Sequence, residues 1–282
     1  MPQPDKSCAA PPLEETPAPR CVNPIALLVW LLAEAVTPLV ESHVLYNSRE
    51  MQTFTSDEAS FQPASDQTLL VYFGQQITLG AHQRVRKLLR LLERKPIVGV
   101  HNLNPAYSSI LLTFDAMKLN HHDLEGILRG YLDRLDSMRI PDGRERQIPT
   151  CYGGEFGPDL VEVAALHGMT PSQVTELHAS VSYIVYFLGF VPGFAYLGEL
   201  PGALATPRLD SPRRTTPPGS VGIAGNQTGV YPFATPGGWR LIGRTPRALF
   251  RPDRKAMSFL SIGDRVRFTP ISAARFATME RR

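Results

Sequence analysis

One stretch limits the folds open to this chain more than any other. Between Tyr186 and Pro246 there are 11 glycines and 9 prolines in 61 positions, a third of the segment. Glycine gives up the most backbone freedom in a helix and proline removes a donor, so no helix of ordinary length fits here. Short apolar pieces, Val221-Gly-Ile-Ala224, Thr228-Gly-Val-Tyr231 and Trp239-Arg-Leu-Ile242, alternate with turn formers. That pattern predicts a small β-barrel with many tight connections. Tyr183–Phe187 leads into it as a strand, and the last strands are expected over Ala256–Ile262 and Asp264–Thr269, with a turn at Gly263-Asp264.

The chain ahead of this segment follows a different rhythm. Thr68–Phe73 has the β-branched and aromatic content of a buried strand, closed by Gly74. Ala81, Val85, Leu88, Leu89 and Leu92 form one helical stripe that Pro96 stops. Val98–Leu103 and Ser109–Phe114 read as two strands around Asn104-Pro105, and Asn120 caps a helix carrying Leu124, Ile127, Leu128, Tyr131 and Leu135. The order β-α-β-β-α predicts a two-layer α+β sandwich, with helices on one face of an antiparallel sheet. The charged link Arg139–Gln147 places a boundary near residue 145. The expected organisation is an extension over 1–60, partly disordered or a short apolar helix, an α+β domain over 61–145 and a barrel domain over 146–282.

Two short helices bridge into the barrel. Pro158 stands at a first helical position, Leu160, Val163 and Ala164 make the stripe, and Gly168 ends it. Thr170-Pro-Ser-Gln173 is a capping box for the next helix, which carries Val174 and Leu177. The pair has helix-turn-helix spacing, but residues 171–179 contain no Lys or Arg and include Glu176. A helix that reads DNA must offer cations and amides to phosphates and base edges, so nucleic acid is not the expected partner. The net charge of +3 agrees.

Composition narrows the class further. With 43% hydrophobic and 20% charged residues the chain can bury a real core. Cys8, Cys21 and Cys151 are odd in number and irregularly spaced, which excludes a disulfide framework and a four-cysteine zinc site and fits the cytoplasm. The apolar run Ile25–Ala33 is cut by Glu34 after nine residues, against the roughly 20 that a membrane span needs. Its basic flank is offset by Asp5, Glu14 and Glu15, so an export signal is not expected either. A short helix, or a start of translation at Met51, accounts for it.

The cations of the barrel segment are all arginine, namely Arg208, Arg213, Arg214, Arg240 and Arg244, against only Glu199 and Asp210. Guanidinium forks bind carboxylate and phosphate oxygens at two points, and glycine-lined backbone lets N–H groups reach the same anion. Gln227 and Thr228, between Gly225 and Gly229, add neutral donors and acceptors. A pocket for a small anionic or amide-bearing ligand is one reading; arginines that only tie loop carbonyls together is the other. His178 is either a general base or a contact at a helix C-terminus. Gly193, Gly222, Gly237 and Gly238 serve either positive-φ turns or close ligand approach. Position 218 is Pro where a nucleophile elbow needs Gly, and there is no Walker-type loop, dinucleotide fingerprint or metal-ligand spacing.

These runs carry a resemblance. Phe187-Leu-Gly-Phe-Val-Pro-Gly-Phe-Ala-Tyr-Leu-Gly198, Thr206-Pro-Arg208, Pro212-Arg213, Pro218-Gly-Ser-Val-Gly-Ile-Ala-Gly225, Gln227-Thr-Gly-Val-Tyr-Pro232 and Pro236-Gly-Gly-Trp-Arg-Leu-Ile-Gly-Arg-Thr-Pro246 resemble the carboxyltransferase subdomain C/D family. That family takes in the B-type subunit of 5-oxoprolinase, proteins like the first subunit of allophanate hydrolase, and the kinase inhibitor KipI. Tyr152-Gly-Gly-Glu-Phe-Gly-Pro-Asp-Leu160, Phe73-Gly74 and Pro105-Ala-Tyr107 extend the likeness to about residues 61–272. Thr216 and Pro218 stand where the family tends to have an aliphatic residue and Ala.

The resemblance implies an α+β domain followed by a cyclophilin-like barrel. It also implies a composite site shared with a C-type 5-oxoprolinase protein. With an A-type protein added, it implies ATP-dependent opening of the 5-oxoproline lactam to glutamate, ATP being bound, with Mg, by the assembly. The alternatives are a carboxyltransfer or allophanate component of urea metabolism, and a regulator of a sensor histidine kinase. Arg213, Gln227, Thr228 and Arg244 are assigned to the substrate or nucleotide surface, shaped by Tyr196, Tyr231 and Trp239. No catalytic residue is assigned and no metal is indicated.

Overall fold

A computed structural model describes residues 59–281. The apolar run Ile25–Ala33, Met51, Cys8 and Cys21 lie outside the described residues.

The first sheet holds four antiparallel strands, β1 (Ser60–Ser65), β2 (Thr68–Tyr72), β3 (Val100–Pro105) and β4 (Ser109–Phe114), in the order β1-β2-β4-β3. Strand β1 was not expected. It is an edge strand with four exposed positions and a proline, so it carries no apolar alternation to read. Helices α1 (Leu79–Arg94) and α2 (His121–Leu132) are capped by Thr78 and Asn120, whose side chains accept the backbone N–H groups of Ala81 and Asp123. Ala81, Val85, Leu88 and Leu92 of α1, and Leu124 and Leu128 of α2, join Leu69, Val71, Ile110 and Leu112 of the sheet in one buried cluster. Leu135 is buried there too, although α2 ends before it. Ile127, read as part of the stripe, is 39% exposed.

The second body is a closed seven-stranded barrel. Its strands are β5 (Glu145–Tyr152), β6 (Tyr183–Leu188), β7 (Ala195–Gly198), β9 (Ser220–Ala224), β10 (Gln227–Val230), β12 (Arg240–Arg244) and β13 (Arg265–Pro270), in the order β10-β7-β6-β13-β5-β12-β9. A two-stranded flap, β8 (Arg213–Thr216) and β11 (Thr235–Gly237), stands beside it. Helices α3 (Leu160–Leu166) and α4 (Pro171–Ser180) follow β5, and α5 (Ala273–Glu280) follows β13. The Thr170/Gln173 capping box is formed, and Gly168 follows α3 at φ +62°. Pro158 is not the first helical residue but stands one place ahead of Asp159, the cap of α3.

One strand assignment is corrected. Ala256–Ile262 forms no strand, only a bridge between Phe250 and Ser258. The Asp264 carboxylate gathers the Arg144 and Ser261 backbone N–H groups, which bends the chain sharply ahead of β13. β13 then pairs antiparallel with β6 and, over six residues, parallel with β5.

Candidate functional site

A bulge in β6 organises the aromatic residues around the barrel. The β6–β7 register slips between Val185 and Phe187, leaving Tyr186 as the extra residue. Tyr183 and Val185 therefore face the barrel core, while Tyr186 and Phe187, though consecutive, both meet Tyr107. Tyr107 comes from the turn between β3 and β4, closed by the Ala106 N–H to the Ser109 carbonyl. From there the rings run on without a gap: Phe187 stacks on Tyr196 at 4.4 Å and 9°, Tyr196 meets Phe194 at 4.9 Å, and Phe194 meets Tyr231 at 5.2 Å and Trp239 at 5.5 Å. Phe190, in left-handed backbone at φ +68°, closes this end against Phe194 and Tyr231.

Two glycines make room for these rings. Gly229 lies opposite Tyr196 in the β10–β7 ladder, and a Cβ there would stand 3.0 Å from the Trp239 ring and 3.1 Å from Phe194. A Cβ on Gly237 would stand 2.6 Å from the Tyr231 hydroxyl oxygen. Gly237 thus has neither a positive φ nor open space before it but makes room for the Tyr231 ring, whereas Gly193, at φ +83°, serves a turn.

Polar groups converge on the same cluster. Tyr107 hydrogen-bonds Gln227, and the Arg208 guanidinium acts on Tyr107, Tyr196 and Tyr231 together. Burial pushes the Tyr196 and Tyr231 hydroxyls up to about 12 against the pull of Arg208, and the Trp239 backbone N–H donates to Tyr231. Tyr107 is raised further, again mainly by burial. Burial and the Glu199 carboxylate, which Tyr186 hydrogen-bonds, raise Tyr186 to about 12. Each hydroxyl keeps its proton at neutral pH and can donate. His82, buried edge-on to Tyr186, is lowered to about 4 by burial and by Arg86 and is neutral. Tyr107, Tyr196 and Gln227 are half-buried, while Arg208 and Glu199 are exposed. The arrangement offers a guanidinium and phenolic donors to an anionic group, and an amide to a second polar group, over an aromatic floor.

Four of the seven residues assigned from sequence, Tyr196, Gln227, Tyr231 and Trp239, therefore lie in one cluster. The structure gives the other three different surroundings. Arg213 donates to the Asp159 carboxylate at 2.5 Å, whose second oxygen takes the Leu241 backbone N–H at 2.6 Å. Arg244 donates to the Pro218 carbonyl at 2.8 Å, stands 3.7 Å from Glu280 and lies over Phe276. Thr228 is fully buried, donating to the Gly222 carbonyl and accepting from His178 Nε2 at 2.9 Å. His178 Nδ1 in turn accepts from the Tyr152 hydroxyl at 2.8 Å, which settles the tautomer. His178 is thus neither an open base nor a helix-end contact: it is a core group held neutral, its pKa lowered to about 3 by burial. Arg208, Tyr107, Tyr186 and Glu199 were not assigned from sequence. The Thr206-Pro-Arg208 and Pro105-Ala-Tyr107 runs, and the scarcity of acids around Glu199, were the available signals.

Residues 59–260 match the family model described as the carboxyltransferase domain, subdomain C and D. The chain belongs to this family. It is 41% identical over 217 residues to the B-type subunit of 5-oxoprolinase from Bacillus subtilis, covering 73% of this chain and 90% of that protein. It is 45% identical over 199 residues to the B-type subunit of 5-oxoprolinase from Escherichia coli O157:H7, covering 69% and 88%. Among solved structures, that of TTHA0988 superposes with a TM-score of 0.66 at 36% identity, over 74% of this chain. This chain spans only 40% of that one. Among the described residues no group of three His, Cys, Asp or Glu side chains could hold a metal ion, and no helix is long and apolar enough to cross a membrane.

Proposed function

We propose that this chain is the B-type subunit of an ATP-dependent 5-oxoprolinase, an amide hydrolase that opens the lactam of 5-oxoproline to glutamate. Identity above 40% to two proteins named as B-type subunits of 5-oxoprolinase, over nearly their whole length, is the observation that carries it. The parts fit the chemistry asked of them. 5-Oxoproline presents one carboxylate and one ring amide; Arg208 with the Tyr196 and Tyr231 hydroxyls suits the first, and Gln227 suits the second.

An unstrained lactam is a poor electrophile, and ATP would supply the activation by passing its terminal phosphoryl group to the lactam oxygen, with ADP leaving, ahead of attack by water. This chain's share is to bind and orient the substrate and to keep water off the floor of Phe194, Trp239 and Tyr231. Arg208 and Glu199 stand at the exposed side, so a C-type partner covering that side would complete the site. An A-type protein would complete the working enzyme, with ATP and Mg held by the assembly and the whole in the cytoplasm. The domain boundary near residue 145, where β5 begins, belongs to the same proposal.

The test is Arg208→Ala, and separately Tyr196→Phe, in the enzyme reconstituted with A- and C-type partners. Arg208→Ala is expected to raise KM for 5-oxoproline by about tenfold to a hundredfold, the value of one or two charge-assisted hydrogen bonds. Unchanged KM and kcat in both variants would remove the cluster from the site.

A further inference from the structure

The turn that carries Asp264 collects more positive charge than the fold neutralises. Asp264 is 3% exposed, and its carboxylate already accepts from the Arg144 backbone N–H, Nε and NH2 groups and from the Ser261 backbone N–H. Arg146 reaches only to 3.8 Å of that carboxylate, and its buried Nε has no hydrogen-bond partner among the described residues. Arg146 instead lays its guanidinium 4.8 Å from the centre of the Phe259 ring, and Arg247 lies at 4.8 Å from the same ring. Arg86 and Arg265 are close by: Asp142, Asp264 and Arg265 all act on Arg86. Arg265 stands opposite Glu145 in the β13–β5 ladder. Arg144, Arg146 and Arg86 therefore all act on the one Asp264 carboxylate.

Two arginines sharing one aromatic ring repel each other, and the ring quadrupole offsets little of that where water still reaches them. Their guanidinium carbons are no more than twice 4.8 Å, or 9.6 Å, apart. A diphosphate group with a hydrogen bond at each end can cross that distance; a single small anion at one guanidinium leaves the other uncompensated.

We propose that Arg146, Arg247 and Phe259 form a binding site for a polyphosphate anion, either the phosphate tail of a nucleoside triphosphate or free pyrophosphate. The site uses residues other than the Tyr196–Arg208 cluster, and it stands or falls independently of the hydrolase reading.

Calorimetric titration of the purified full chain with pyrophosphate, ATP and inorganic phosphate, in magnesium-free buffer at low salt, tests it. Pyrophosphate is expected to bind one to one and more tightly than inorganic phosphate. Arg247→Gln and Arg146→Gln are each expected to weaken that binding about tenfold, while Arg94→Gln, at the far end of α1, leaves it unchanged. ATP binding that falls in step assigns the nucleotide; pyrophosphate binding without ATP binding supports the site for the inorganic anion. Arg247 is exposed, so its substitution keeps the test open even where Arg146→Gln harms folding. Absence of saturable binding by both polyanions, or equal binding by wild type and Arg247→Gln, overturns the proposal.

Discussion

Truncating Arg213 to alanine separates a fold contact from a ligand contact. Its guanidinium reaches the Asp159 carboxylate at 2.5 Å, with the two side chains 28% and 7% exposed. The same carboxylate holds the Leu241 backbone N–H and stands at the N-cap of α3, so one residue ties the β8 flap to α3 and β12. Arg213→Ala leaves Asp159 buried with a single donor. Breaking a largely buried pair costs about 3–5 kcal/mol and removing one charged hydrogen bond about 1.5–3 kcal/mol; the partial exposure of Arg213 places the expected loss near 2–4 kcal/mol. With a urea slope of about 2–3 kcal/mol/M the unfolding midpoint should fall by about 1 M. Asp159→Ala should cost at least as much, and the double variant less than the sum, with a coupling of about 1–3 kcal/mol. A midpoint within about 0.2 M of wild type in Arg213→Ala, with 5-oxoproline binding lost, would refute this reasoning and return Arg213 to the ligand surface.

Three further outcomes follow from the buried groups. His178 and His82 are held neutral with pKa values near 3 and 4, whereas in the unfolded chain each takes a proton near pH 6.5. Below that pH the unfolded state binds the extra protons, so stability should fall by about 1.4 kcal/mol per pH unit for each histidine, until His82 protonates near pH 4. Urea midpoints at pH 7, 6 and 5 check this, and His82→Phe should remove about one proton from the slope. Tyr152→Phe deprives His178 Nδ1 of its donor at 2.8 Å and should cost about 1–3 kcal/mol in the same assay, with no change in ligand affinity. Gly237→Ala drives a methyl group into Tyr231 and should cost about 1–3 kcal/mol, with a shift in tryptophan fluorescence because Tyr231 touches Trp239; an unshifted spectrum would mean that the ring has room to move.

Much of the architecture was legible because its signals are local. The stripe of α1, the Asn120 cap, the Thr170/Gln173 box and the glycine-proline rhythm of the barrel each depend on residues close in sequence. Non-local determinants were not readable. The stretch Ala256–Ile262 has strand-like composition, but its end is held by Asp264, which takes the Ser261 backbone N–H together with Arg144, 120 residues away. Edge strand β1 gives no alternation because four of its six residues face solvent. Of the residues assigned to the ligand surface, Tyr196 and Tyr231 each meet Trp239, a contact that joins three separate glycine-rich runs. What Arg213 and Arg244 meet, Asp159 and Glu280, comes from other elements and cannot be read from the runs that carry the two arginines. The bulge that turns Tyr186 toward Tyr107 is likewise a property of the β6–β7 pairing, invisible in either strand alone.

The most direct measurement is glutamate release from 5-oxoproline by this chain alone, and by the chain combined with A- and C-type partners, with and without ATP. The account predicts turnover only in the full mixture with ATP, lost or sharply weakened with Arg208→Ala. Enzyme-like turnover by the isolated chain, or none in a mixture that is active when the Bacillus subtilis B-type protein replaces this chain, would contradict it.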